Sequence, residues 1–253
     1  MFSGKILVRF LIILLVLAAV GGAVYLALMY MPAEKEAGPA DVGEQPSLTD
    51  ENHDVLEKAL SQKVDPVKPV SEDDHIRGDI GAPVGLIIYD DFDGPFSGEF
   101  YETVKKVTET YGGQVVVAYR HYPLRTHPKS YEAAMASECA AEQSAFWQMS
   151  DKLFKASLEN GLVPTKYADY ASEIGINQSG FSECMEEERY ADVIEAEYDE
   201  ARRFNVSGTP GSFLNGRPLS GAVPYDDYID SQGNERPGLK SLIEDELGGP
   251  YQE

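Results

Sequence analysis

The chain has 253 residues, enough for one domain of ordinary size with additional segments, and 43 acids against 21 lysines and arginines give it a net charge of −22. That excess excludes nucleic acid and anionic lipid as main partners, because both are bound through Lys and Arg. A solvated acidic surface that aids solubility accounts for it most simply.

No acid occurs before Glu34, and the only basic residues of that stretch are Lys5 and Arg9. Residues 10–31 form a run of 22 without a charge, and about 20 such residues span a bilayer as a helix. With Lys5 and Arg9 before the run, residues 1–9 are expected in the cytoplasm and the rest of the chain outside it. The competing reading is a signal peptide cut after Ala23. The run continues to Met31, longer than a usual signal core, which favours an uncleaved single-pass anchor. Residues 32–74 are rich in Pro, Gly, Ala and acids without a sustained period, and read as a flexible linker. Within it, Val55, Leu56, Ala59 and Leu60 share one face of a short helix preceded by Thr49 or Asp50.

The folded domain is expected over residues 75–253. A short strand around 76–79 and an apolar strand at 84–89 come first. After Pro95, Phe96, Phe100, Val104, Val107 and Tyr111 recur at steps of three and four, one stripe of a helix that Gly112 and Gly113 stop. Residues 114–119 read as a buried strand, and a βαβ unit of this length implies parallel strands joined by a right-handed crossover. From about 128 to 204 the pattern is helical. Ala133, Ala136, Cys139 and Ala140 form a narrow stripe, and Phe146, Met149, Leu153 and Phe154 a second helix. Shorter helices follow Thr165 and Asn177 as N-caps, and a longer one covers about 190–204. Asn215-Gly216 between two short runs is a strong hairpin signal. A last helix carries Leu239, Leu242, Ile243 and Leu247 before Gly248.

Residues 87–101 join the first apolar strand to the first helix through an acidic turn, Asp90-Asp91-Phe92-Asp93-Gly94-Pro95-Phe96-Ser97. Free N–H groups at such a helix start favour an anion or a thiolate. With Tyr119-Arg120-His121-Tyr122-Pro123-Leu124, Glu138-Cys139-Ala140-Ala141-Glu142-Gln143, Phe146-Trp147, Gly208-Thr209-Pro210 and Phe213-Leu214-Asn215-Gly216, this turn makes the chain from about His75 onward resemble the membrane-anchored, DsbA-like branch of the thioredoxin superfamily. The resemblance implies an α/β, thioredoxin-like fold with a helical insertion, here preceded by one transmembrane helix. It implies thiol–disulfide oxidoreductase activity at a Cys-Pro-x-Cys turn. It also implies a cis proline at Pro210 and a groove in which Phe96, Thr209 and Pro210 meet an extended peptide.

The residues depart from that pattern where the chemistry would occur. Gly94 stands at the nucleophilic cysteine and Ser97 at the resolving one, so the catalytic positions Gly94, Pro95, Phe96 and Ser97 are degenerate. Exchange needs a thiolate attacker and a second thiol. Asp93 is placed to cap the helix, either as a plain cap or as a carboxylate holding the thiolate's place. Ser97 as a hydrolase nucleophile lacks a Gly-x-Ser-x-Gly elbow, and His121 beside it reads as a hydrogen-bonded structural residue. Cys139 and Cys184 are the only cysteines, and an even count in an exported chain suggests a bridge. Relatives with cysteines at matching positions use them as a structural disulfide. Two free thiols or a substitute redox pair are the alternatives. His53, His75, His121 and His127 are scattered, so neither metal nor other cofactor is expected.

Three functions remain open at this point. One is a redox-inactive, membrane-tethered domain binding unfolded or extended polypeptide outside the cytoplasm. The others are an oxidoreductase in protein disulfide formation and a structural assembly subunit.

Overall fold

The computed structural model describes residues 66–159 and 161–248. The expected cytoplasmic segment 1–9, membrane anchor 10–31, the short helix near Val55 and most of the linker lie outside them. Among the described residues no helix is long and apolar enough to cross a membrane.

The strands are β1 (His75–Arg77), β2 (Val84–Asp90), β3 (Val115–His121), β4 (Gly211–Leu214) and β5 (Arg217–Ser220), paired in the order β1-β3-β2-β4-β5. β2 and β3 are parallel, and the other pairs antiparallel. The helix between them, α1 (Ser97–Tyr111), is the expected crossover, and Gly112 ends it at φ 50°. β2 and β3 are buried along almost their whole length, as parallel strands covered on both faces must be. Their side chains alternate. Leu86, Ile88 and Val117 pack with Phe100, Val104 and Val107 of α1, and with Leu239 and Ile243 of a C-terminal helix. On the opposite face Ile87, Tyr89 and Ala118 pack with Phe213, Ala201 and Val206. The β4–β5 hairpin turns at Asn215 (φ 45°) and Gly216 (φ 81°), the doubly left-handed turn that Asn-Gly favours.

Between β3 and β4 lie α2 (Ser130–Ala141), α3 (Phe146–Glu159), α4 (Tyr167–Glu173), α5 (Gln178–Glu186) and α6 (Ala191–Arg203), and α7 (Leu239–Glu246) closes the chain. Asn177 caps α5 by accepting from the Gly180 N–H at 2.8 Å. Several expectations are corrected. Thr165 caps nothing, because it sits inside a 3-10 turn, Pro164–Lys166, that precedes α4. The stripe expected on α2 is a helix buried on all sides from Ala133 to Ala140, since its small residues let neighbouring helices approach from every direction. Phe96 is 60 % exposed rather than part of the α1 stripe, because the helix begins after it. A short pair, β6 (Tyr228–Ile229) and β7 (Glu235–Arg236), carries no periodicity that a sequence of two-residue strands could show.

The stretch read as the end of the linker is docked on the domain. Val67 is buried in the same cluster as Ile87 and Tyr89. Arg120 lies beneath it, 4 % exposed, and the carbonyls of Lys68 and Pro69 accept from its Nη2 at 3.3 and 3.2 Å. Asp74 receives its Nε and Nη2 at 2.6 and 3.0 Å. Nη1 donates to Tyr89 Oη at 2.9 Å and to Glu200 Oε1 at 3.1 Å.

Cys139 of α2 and Cys184 of α5 are joined by a disulfide, with Cα atoms 5.7 Å apart. Both residues are fully buried, out of contact with solvent. Replacing both by alanine is expected to lower stability by about 2–4 kcal/mol, because the bridge closes a loop 45 residues long in the unfolded chain. Denaturant unfolding with and without reductant checks this, and an unchanged midpoint on reduction would contradict it.

Candidate functional site

The site is the turn between β2 and α1, at the carboxyl end of a central parallel strand, where sheets of this kind place their ligands. Asp91 organises the turn. Its Oδ1 accepts from the Asp93 N–H at 2.8 Å and from the Ser130 hydroxyl. Its Oδ2 accepts from the Leu124 N–H at 2.9 Å and pairs with His127 Nδ1 at 2.7 Å. The acidic turn is thus tied to the loop that leads into α2.

Asp93 does not cap α1. Its carboxylate accepts instead from the N–H of Lys129, the residue before α2, at 3.2 Å, and α1 starts without a side-chain cap. The first turn is closed by backbone alone: the Gly94 N–H donates to the Asp91 carbonyl at 3.0 Å, and the Ser97 N–H to the Gly94 carbonyl at 3.2 Å. No carboxylate therefore holds a thiolate's place at this helix start.

Gly94 is buried in a slot. A Cβ there would meet the Ser97 hydroxyl, the Asp91 carbonyl at 3.1 Å and Thr209 Oγ1 at 3.2 Å. The serine oxygen fills space that a side chain at residue 94 would need. The Thr209–Pro210 peptide is cis, as the family resemblance implied, and its threonine Oγ1 is buried without a hydrogen-bond partner. Pro210 itself is buried, whereas Pro95 and Phe96 are exposed. On the neighbouring helix, Leu158, 48 % exposed, lies against Gly98, two residues beyond Phe96. A pocket of about 260 Å³ is lined by Pro210, Val206, Phe213 and Leu219, but by no residue of the 94–97 turn.

Ser97 is fully buried and donates to Asp90 Oδ1 at 2.6 Å. Burial pushes the Asp90 carboxyl up to about 8, against the hydrogen bonds from Ser97 and from the Asp91 N–H and with the charge of Asp91 adding to the rise. At neutral pH it is mainly a neutral acid. A serine with an acid beside it and no free imidazole has no general base, which removes the hydrolase reading. His121 is engaged elsewhere.

Its Nε2 lies 2.8 Å from Glu138 Oε1, and His75 Nε2 lies 2.7 Å from the same oxygen. Burial alone would raise Glu138, but the hydrogen bonds and charges of His121 and His75 hold it down at about 2. Burial opposes the charging of His121, yet the Glu138 hydrogen bond and the carboxylates of Glu138, Glu197 and Asp91 raise it above its ordinary value. Sequence reading left these three residues apart, since they are 17 and 63 positions from one another. The one signal was a glutamate at 138 beside Ala136, Ser137, Cys139 and Ala140, within the part of α2 that is buried on all sides.

The sequence family described as Thioredoxin matches residues 70–230. The Na+/H+ antiporter NhaA 3 of Salinispora tropica is 38% identical over 164 residues, which is 64% of this chain and 24% of that protein. The chain thus spans about a quarter of the length of the curated relatives it matches. Among solved structures, oxidised BdbD from Bacillus subtilis shares the fold with a TM-score of 0.60 and 22% identity, over 72% of this chain and 97% of that one. The thiol-disulfide exchange protein alpha-DsbA2 from Wolbachia pipientis does so with a TM-score of 0.53 and 17% identity, over 68% and 91%.

Proposed function

The chain belongs to the thioredoxin family, and from that premise we propose a DsbA-like, membrane-tethered, extracytoplasmic member that binds extended polypeptide without exchanging disulfides at its turn. One observation carries the reading. The position of the attacking sulfur is a buried glycine, its slot shared by the Ser97 hydroxyl and Thr209, while both cysteines of the chain are joined and buried elsewhere. An alcohol does not ionise near neutral pH and forms no exchangeable bond with sulfur, so the turn has neither attacker nor resolving group. What remains beside the turn is exposed Phe96, half-buried Thr209 and the exposed apolar side chain of Leu158. Strand-like pairing there recognises backbone, with one aromatic side chain supplying contact area. The tether is supported by the uncharged run at residues 10–31 behind Lys5 and Arg9.

A photo-crosslinking residue at Phe96 in the full-length chain tests the reading with a reduced, unfolded polypeptide as probe. Crosslinks are expected at Phe96, and Phe96→Glu is expected to weaken binding by about tenfold, roughly 1.4 kcal/mol. Oxidation or reduction of a client at an ordinary enzymatic rate by the unaltered chain would overturn it. The double variant Gly94→Cys with Ser97→Cys is expected to gain exchange activity. The second change is required because exchange needs a resolving thiol as well as an attacking one.

The antiporter relatives favour a second reading, an adaptor for a membrane transporter. Co-purification of an antiporter with the full-length chain would support it.

A further inference from the structure

We propose that His75, His121 and Glu138 form a binding site for a divalent transition-metal ion of the Zn2+ type, separate from the turn at Gly94. Three elements build it: the edge strand β1, the carboxyl end of β3 and the buried helix α2. Their ligating atoms, two imidazole nitrogens and one carboxylate oxygen, all lie within 4.8 Å of one another.

The rings approach that oxygen from different directions. Their centroids are 6.3 Å apart and their planes cross at 67°, so the two Nε2 atoms converge rather than stack. Each ring is held in place. His75 lies flat on Phe146 with centroids 3.6 Å apart and planes 6° from parallel. His121 meets Tyr119 edge-on at 5.4 Å, and its backbone N–H donates to Glu197 Oε2 at 2.6 Å. Ligands fixed by their surroundings lose little freedom when an ion arrives.

Two imidazoles and one carboxylate are the donor set of three-ligand zinc sites, which leave one position open. Ca2+ and Mg2+ require more oxygen atoms than this cluster offers. In a tetrahedral site with bonds near 2.0 Å, ligating atoms stand about 3.3 Å apart. The present 2.7 and 2.8 Å contacts therefore open by about half an ångström. The stack on Phe146 sets the plane of the His75 ring but not its position along that plane, and His75 can slide by this much because β1 is three residues long at the sheet edge and its side chain is partly exposed. That exposure is also the way in. On binding, each imidazole presents Nε2 without a proton and keeps its remaining proton on Nδ1. The ion then replaces both hydrogen bonds to Glu138.

The test is titration of the full-length chain, purified in detergent without a polyhistidine tag, with Co2+ as a spectroscopic probe and Zn2+ as competitor. Expected are one Co2+ per chain with the visible absorption of a low-coordinate nitrogen–oxygen site, its displacement by Zn2+, and affinity reduced at least tenfold in His75→Ala and in Glu138→Gln. His53→Ala should bind as the unaltered chain does. Absence of the absorption band at stoichiometric Co2+ overturns the proposal even if a variant fails to fold. So does an affinity in both site variants equal to that of the unaltered chain, the result expected if surface acids hold the ion.

Discussion

Replacing Arg120 by methionine is expected to destabilise the domain by about 3–5 kcal/mol, because it leaves the buried Asp74 carboxylate without a cation and takes one of two from Glu200. The guanidinium donates to Asp74, Tyr89, Glu200 and two backbone carbonyls, with side-chain exposures of 4%, 7% and 6% for Arg120, Asp74 and Glu200. Methionine roughly matches the volume of the stem and supplies none of the donors. Glu200 would retain Lys68 and Tyr89 as partners, whereas Asp74 would keep only the Ser71 backbone N–H and hydroxyl among the hydrogen bonds described. Loosening should begin at residues 66–74, since Arg120 holds that stretch from below. Urea unfolding gives the loss, and limited proteolysis locates it. A variant that unfolds at the same midpoint would show that the network contributes nothing net. Adding Asp74→Asn to Arg120→Met should recover part of the loss by removing the uncompensated charge.

Asparagine in place of Asp90 should act in the opposite direction and stabilise the domain at alkaline pH. The unfolded carboxyl releases its proton near pH 4, roughly 3.9, whereas the folded one holds it until about pH 8. Between those values the folded state carries a proton that the unfolded state has lost, so stability falls as pH rises through the window. Below it the two states bind equally, and above it the loss is complete. At about 1.4 kcal/mol per pH unit, the variant gains on the order of 3–5 kcal/mol at pH 8 and almost nothing at pH 4. Its amide oxygen can still accept from Ser97 and the Asp91 N–H. Unfolding midpoints of both proteins across pH 4–9 check this, and parallel profiles would contradict it. Glu138 has the reverse sign. Held at about 2, it contributes stability above its unfolded value that is lost as pH falls from about 4 toward 2.

Local signals were sufficient for much of this molecule. The period of Phe100, Val104, Val107 and Tyr111, the buried runs on either side and the Asn215-Gly216 turn foretold the parallel β2–α1–β3 unit and the closing hairpin, because periodicity and turn chemistry act over a few residues. The absence of sulfur at residues 94 and 97 is likewise a fact of the chain alone. The partners of the acids were not legible in this way. Asp93 had every local mark of a helix cap, and only the approach of the loop before α2 turned it to Lys129. Phe96 fits the apolar stripe by spacing and is exposed because the helix starts one residue later. His75, His121 and Glu138 meet only because β1 pairs with β3 and α2 packs beside them, and Arg120 meets Asp74 because the preceding segment folds back. Asp90 keeps its proton because of the depth at which it is buried, a property of the assembled layers that no neighbouring residue encodes.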